Sequence, residues 1–197
     1  MKEKHVVWHP VEVTREMRQI LNGHKSVALW FTGLPASGKS TIAHTTEKRL
    51  YEMGVRTYTL DGDNIRHGLC SDLGFSKEDR KENLRRTAEV IKLFLDAGLV
   101  VLSAFVSPLK EHREMVKSII GEEDFIEIYC RCPVEVCEAR DPKGMYKKAK
   151  LGEIKEFTGI SSPYEEPENP DLILDTHLLS VEEAVEKVIG LIRDKIF

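Results

Sequence analysis

The chain has 197 residues, 41% of them hydrophobic and 31% charged, and a net charge of −4. That length supports one sizeable core and predicts a single domain over 1–197, while the mild acidity excludes nucleic-acid binding through bulk charge. Met1 to His5 lead into mixed polar sequence without the apolar stretch of a signal peptide; the longest apolar run, near Gly98 to Val106, is far short of the roughly 20 residues that cross a bilayer, so the sequence predicts a cytoplasmic protein.

In chain order, Thr14 is placed to cap a short amphipathic helix with Met17, Ile20 and Leu21 on one face, ended by Asn22-Gly23. Residues 1–24 are therefore expected to be a helical extension packed on the body. Apolar runs at 27–32, 56–60, 100–105, 125–130 and 172–175 predict strands. Helical patterns at 41–53, 77–97, 109–120, 134–139 and 181–196 fall between and after them. Continuous apolar strands alternating with helices describe a mainly parallel five-stranded sheet covered on both faces, an α/β three-layer α/β/α sandwich. The segment 141–169 carries Gly144, Gly152, Gly159 and three prolines. It is too long for a plain connection and is expected to be a lid or substrate loop. Cys70, Cys130, Cys132 and Cys137 fit neither a redox C-x-x-C pair nor a zinc spacing. They read as buried thiols in a reducing compartment, with Cys130 and Cys132 on one strand face as a second option for redox pairing.

Directly after the first strand, Gly33-Leu34-Pro35-Ala36-Ser37-Gly38-Lys39-Ser40 matches G-x-x-x-x-G-K-[ST] and opens a helix at Thr41. In that setting the glycines let backbone N–H groups turn toward a phosphate, and the helix start adds positive potential. Lys39 reaches β/γ oxygens, and Ser40 offers a hydroxyl to Mg²⁺. The match points to an ATP-dependent phosphotransferase, and the missing N-K-x-D motif argues against a GTPase.

The second strand ends in Leu60-Asp61-Gly62-Asp63-Asn64-Ile65-Arg66, at the carboxyl edge where open α/β sheets bind ligands. Asp63 is assigned to the acceptor hydroxyl and Asp61 to support of the metal. Further on, Ser76 is an N-cap candidate, and Arg80 and Asn83, three apart, share a helix face suited to a small anion. Phe75 is either a hydrophobic staple or a stacking platform, and Arg85 and Arg86 divide evenly between ligand contact and a solvated face.

These motifs, together with Phe105-Val106-Ser107-Pro108, Asp141-Pro142-Lys143-Gly144, Tyr146-Lys147-Lys148-Ala149 and Phe157-Thr158-Gly159-Ile160, resemble the adenylyl-sulfate kinase family over nearly the whole chain. The resemblance implies a phosphate-loop kinase of sulfate assimilation, with Mg²⁺ and ATP as donor system. It would phosphorylate the 3′-hydroxyl of adenosine 5′-phosphosulfate as a cytoplasmic homodimer. It also implies an acceptor adenine between Phe75 and Phe157, and Arg66, Arg80 and Asn83 on the phosphosulfate and nearby groups. Asn64, Ile65, Val106 and Ser107 would touch the acceptor, Lys143 would lie on the lid near the transferred phosphate, and Arg140 near the ATP adenine. The family is commonly described with a phosphoserine at the position of Ser107. Direct in-line transfer does not need one, and Ser-Pro after a strand also starts helices. Cys70 and Ser161-Ser162 depart from the family pattern beside the expected substrate residues. The alternatives are another small-molecule kinase of the same fold, such as a nucleoside kinase, or a non-catalytic nucleotide-binding protein; the intact Lys39, Asp63 and Arg80 argue against the latter.

Overall fold

The computed structural model describes residues 6–197; the first five positions of the expected extension lie outside the described residues. In chain order the elements are α1 (Arg15–Asn22), β1 (Ala28–Thr32), α2 (Lys39–Glu52), β2 (Thr57–Asp61), α3 (Lys77–Asp96), β3 (Val100–Ala104), α4 (Lys110–Ile120), β4 (Phe125–Arg131), α5 (Val134–Arg140), α6 (Met145–Lys150), β5 (Leu172–Asp175) and α7 (Val181–Ile196). The five strands are all parallel, in the order β2-β3-β1-β4-β5.

Alternation along β1 divides the core. Leu29 and Phe31 pack with Ile42, Leu50, Val188 and Ile192 on the α2/α7 side, while Ala28 and Trp30 pack with Leu84, Ile91, Leu95 and Val116 on the α3/α4 side. Every residue of β1 and β3 is buried, because helices cover both faces. Helix ends follow local chemistry. Ser76 accepts from Asp79 N to start α3, and Ser180 with Glu183 forms a reciprocal capping box at α7. Predicted element ends agree with the observed ones to within two residues.

Two features go beyond what the sequence specified. Helix α1 exists with Thr14 as its cap, but it docks through its polar side. Arg15 pairs with Asp124, Arg18 with Asp96, and Asn22 donates to the Gly98 carbonyl. Met17, Ile20 and Leu21 therefore face outward: the body offers α1 two carboxylates and a free carbonyl, not an apolar groove. Second, 141–169 is not a bare loop. It contains α6, whose Tyr146 and Ala149 are buried with Phe157, Cys132 and Cys137 in a small third core. All four cysteines are buried free thiols. Cys130 joins the α2/α7 core whereas Cys132 lies beside Cys137, whose thiol is 4.0 Å from the Cys132 carbonyl, so Cys130 and Cys132 do not share an environment.

Candidate functional site

The loop between β1 and α2 is set by close approaches. A Cβ on Gly33, which has φ +151°, would lie 2.5 Å from the Cys130 carbonyl oxygen and 2.8 Å from Ser37 Oγ. Only glycine fits there, and the chain is thereby held tight against β4. Gly38 adopts φ 96° as the α2 N-cap, so α2 begins at Lys39, two residues earlier than predicted. Lys39 is buried and donates to the carbonyls of Gly33 and Leu34 at 3.0 and 2.7 Å. Burial brings its pKa down from 10.5 to about 8, as expected for an ammonium taken out of water. Ser37 Oγ is buried without a hydrogen-bond partner, and Thr41 is exposed on α2.

At the end of β2, Ser40 Oγ donates to Asp61 Oδ2 at 2.5 Å, and the other Asp61 oxygen accepts from Asp63 N at 3.0 Å. Asp61 thus ties the first turn of α2 to the turn that presents Asp63. Gly62 allows this: a Cβ there would stand 3.2 Å from the Phe105 ring and 3.3 Å from the Ala104 carbonyl oxygen. Phe105 is itself stacked on Trp30, centroids 4.9 Å apart. The Asp63 carboxylate is exposed and bonded to the Lys143 ammonium. Lys143 has its pKa raised, chiefly by that bond.

Asn64 and Ile65 begin a short 3₁₀ turn, Asn64–His67. Asn64 is exposed, and the Ile65 side chain packs in the α3/α4 core. Arg66 donates to the carbonyls of Leu73 and Gly74 and lies over the Phe75 ring at 4.3 Å. Phe75 is 65% exposed, which rules out the staple and leaves one ring face open. Arg80 is the bridge. It donates to the Phe75 carbonyl at 2.8 Å, and on the other side to the Glu156 carbonyl at 2.9 Å and Thr158 Oγ1 at 3.4 Å. The turn carrying Phe157 is thereby tied across to α3. Asn83 is 3% exposed, and its Nδ2 has no partner. A buried orphan amide beside an arginine is a donor poised for a ligand oxygen. Arg85 and Arg86 pair with Glu82, and Arg86 also with Asp72; they belong to the surface and not to the site.

Ser107 Oγ is buried, accepts from Trp30 Nε1 at 3.1 Å and donates to Thr32 Oγ1 at 2.9 Å; Thr32 in turn donates to the Val106 carbonyl. Ser107 has φ 36° and Glu156 φ 54°, left-handed values for non-glycine residues that mark stored strain. Arg140 Nη2 donates to the Thr176 carbonyl at 2.7 Å, joining the end of α5 to the segment after β5. An open groove of 610 Å³ lined by Tyr129, Arg131, Tyr164, Glu166 and Asp175 shares only Leu34 with the phosphate loop, and Lys39, Asp63, Arg80 and Phe157 do not line it.

Sequence reasoning missed Trp30, Thr32, Tyr146, Thr158 and Thr176. Tyr146 and Thr158 sat inside quoted motifs, but their partners lie far away in the chain. Nothing local signalled the carbonyl of Thr176.

A protein-family model described as adenylylsulphate kinase matches residues 25–175. The adenylyl-sulfate kinase of Thermodesulfovibrio yellowstonii is 62% identical over 184 residues, which cover 93% of this chain and 92% of that protein. The adenylyl-sulfate kinase of Staphylococcus carnosus is 57% identical over 195 residues, 99% of this chain and 98% of the relative. Among solved structures, the APS kinase of Mycobacterium tuberculosis in complex with AMPPNP and APS superimposes with a TM-score of 0.83 at 49% identity, covering 86% of this chain and 98% of that one.

Proposed function

Because the chain belongs to the adenylylsulphate kinase family, we infer that the carboxyl edge of its sheet is a two-substrate site. The enzyme transfers the ATP γ-phosphate to the 3′-hydroxyl of adenosine 5′-phosphosulfate, giving 3′-phosphoadenosine 5′-phosphosulfate and ADP. One observation carries the acceptor side: Arg80 closes a slot by bonding the Phe75 carbonyl at one wall and Glu156 and Thr158, which flank Phe157, at the other.

In this reading residues 33–41 hold the ATP phosphates and Arg140 lies by the ATP adenine. The acceptor adenine lies against the open face of Phe75 and against Phe157, and Arg66, Arg80 and Asn83 receive the phosphosulfate and sugar oxygens. Asn64, Ile65 through its backbone, Val106 and Ser107 complete that pocket. The 3′-oxygen forms a bond to Pγ as the bond from Pγ to the ADP oxygen breaks, and Asp63 takes the hydroxyl proton. Lys143 then stabilises charge on the moving phosphoryl group. The hydroxyl of Ser40 and the carboxylate of Asp61, 2.5 Å apart, are a hard-oxygen donor pair that fits Mg²⁺ arriving with ATP. When bound there, Mg²⁺ supplies neutralisation of the β/γ oxygens.

The segment 141–169 is read as the lid of one domain spanning the chain. Homodimerisation is supported by the outward apolar side of α1, where Ile20 and Leu21 are 81% and 83% exposed. Four buried free thiols suit a reducing cytoplasm, and among the described residues no helix is long and apolar enough to cross a membrane. The test is product identity: ATP with adenosine 5′-phosphosulfate should give ADP and a new phosphate whose ³¹P signal couples to the ribose 3′ proton. A 2′-phosphate, or no nucleotide product, overturns the reading.

A further inference from the structure

The Tyr146 phenol donates to the Pro35 carbonyl of the phosphate loop at 3.0 Å. On its other side the Tyr146 ring meets Phe157 edge-on, with centroids 5.0 Å apart and planes at 79°, a preferred aromatic geometry. The side chain is 1% exposed, so it cannot turn away from one partner without disturbing the other. The neighbouring turn is fitted equally closely: a Cβ on Gly159 would stand 3.1 Å from the Leu34 side chain and 3.6 Å from the Tyr146 hydroxyl. One side chain on α6 thus touches the backbone that cradles the donor and the ring that walls the acceptor.

We propose that Tyr146 is a positioning residue through which the phosphate loop sets the tilt of Phe157, coupling the donor cradle to the acceptor slot. The proposal rests on the reading of Phe157 as an acceptor wall. It has an unusual consequence, because the hydroxyl donates its hydrogen bond to donor-side backbone while its loss is felt on the acceptor side. The Pro35 carbonyl serves as an anchor; with the anchor gone, the ring keeps its volume but loses its fixed orientation, and Phe157 loses the edge that holds it.

The experiment uses the full chain carrying Tyr146→Phe, Phe157→Leu and both changes, with steady-state kinetics in each substrate and unfolding temperature as a control. Tyr146→Phe should raise the KM for adenosine 5′-phosphosulfate about fivefold, the loss typical of one hydrogen bond, while the KM for ATP stays within about twofold. Its unfolding temperature should fall by only about 2–4 °C, the shift that one lost hydrogen bond produces in a chain of this size. In the Phe157→Leu background the second change should leave the acceptor KM where it was, because the two residues act as one unit. An unchanged acceptor KM, an equal rise for both substrates, or independent multiplication of the two effects overturns the coupling. A parent enzyme that fails to use adenosine 5′-phosphosulfate overturns the acceptor reading before any substitution is made, and the coupling falls with it.

Discussion

The Lys143 ammonium is bonded to the Asp63 carboxylate although the two residues stand 80 positions apart in the chain. The pair joins the turn after β2 to the segment that follows α5, so the group assigned to the acceptor proton is met by a cation from the opposite wall. Both side chains are about two-thirds exposed, at 67% and 66%, and a surface pair of this kind contributes only about 0–1 kcal/mol to stability. Under the proposed mechanism its weight is in the reaction. Replacement of Lys143 by Met should lower kcat by about 10²-fold, the scale of one lost electrostatic stabiliser, with little change in unfolding temperature or ATP affinity. Unchanged kcat would remove Lys143 from the chemistry.

Ser107 can be tested by deleting its hydroxyl. That oxygen is held between Trp30 and Thr32 in a buried chain of hydrogen bonds, which describes a structural brace better than a nucleophile. Ser107→Ala should retain turnover within about tenfold of the parent, the scale of a lost buried hydrogen bond. If the serine were a covalent phosphoryl carrier, turnover would fall by orders of magnitude, and a rapid-quench search would find phosphoserine in the parent.

Lys39 makes nucleotide binding depend on pH. Burial holds its pKa near 8, below the ordinary 10.5, so the free site loses its charge as pH rises through about 8. ATP affinity should be flat below about pH 7 and fall above 8, with proton uptake on binding in that upper range. For the free chain the sign is opposite. Between about 8 and 10.5 the folded state carries fewer protons at Lys39 than the unfolded state, so this residue's contribution to stability improves as pH rises through that window. Titration calorimetry in two buffers of different ionisation enthalpy reads the uptake; none above pH 8 would contradict the buried ammonium.

Arg113 lies 3.0 Å from Glu127, with side chains 4% and 17% exposed, and also donates to the carbonyls of Ser107 and Glu165. Burial pushes the Glu127 carboxyl above its usual range while Arg113 pulls it back. Arg113→Met should destabilise the fold by about 3–5 kcal/mol, because it strands a buried carboxylate. Adding Glu127→Leu should restore part of that loss. A double variant as unstable as the sum of the single changes, measured by urea unfolding, would show that the pair is not coupled.

The parts of this molecule legible in the sequence are those whose causes are local. A strand buried on both faces is a run of apolar residues, and β1 and β3 were found that way. The phosphate loop is readable because its glycines, lysine and serine must be contiguous. What escaped depends on partners distant in the chain. Which side of α1 meets the body was not legible: Asp96 and Asp124, 78 and 109 positions from Arg18 and Arg15, hold its polar side inward. Helix α6 has six residues, too few for a periodic signal, and its burial comes from Pro35 and Phe157. Arg66 read as an anion contact from its type and motif; the folded chain adds that its Nη1 also braces the carbonyls of Leu73 and Gly74.

The measurement closest to the central claim is acceptor choice. ADP release should be followed with adenosine 5′-phosphosulfate, adenosine, other nucleosides, gluconate and shikimate under identical conditions. A slot that grips a purine and clamps its anionic tail predicts a kcat/KM for adenosine 5′-phosphosulfate at least about 10³-fold above every other acceptor, since buried polar groups left unpaired by the others penalise them steeply. Comparable values for a nucleoside or a sugar acid would contradict the account.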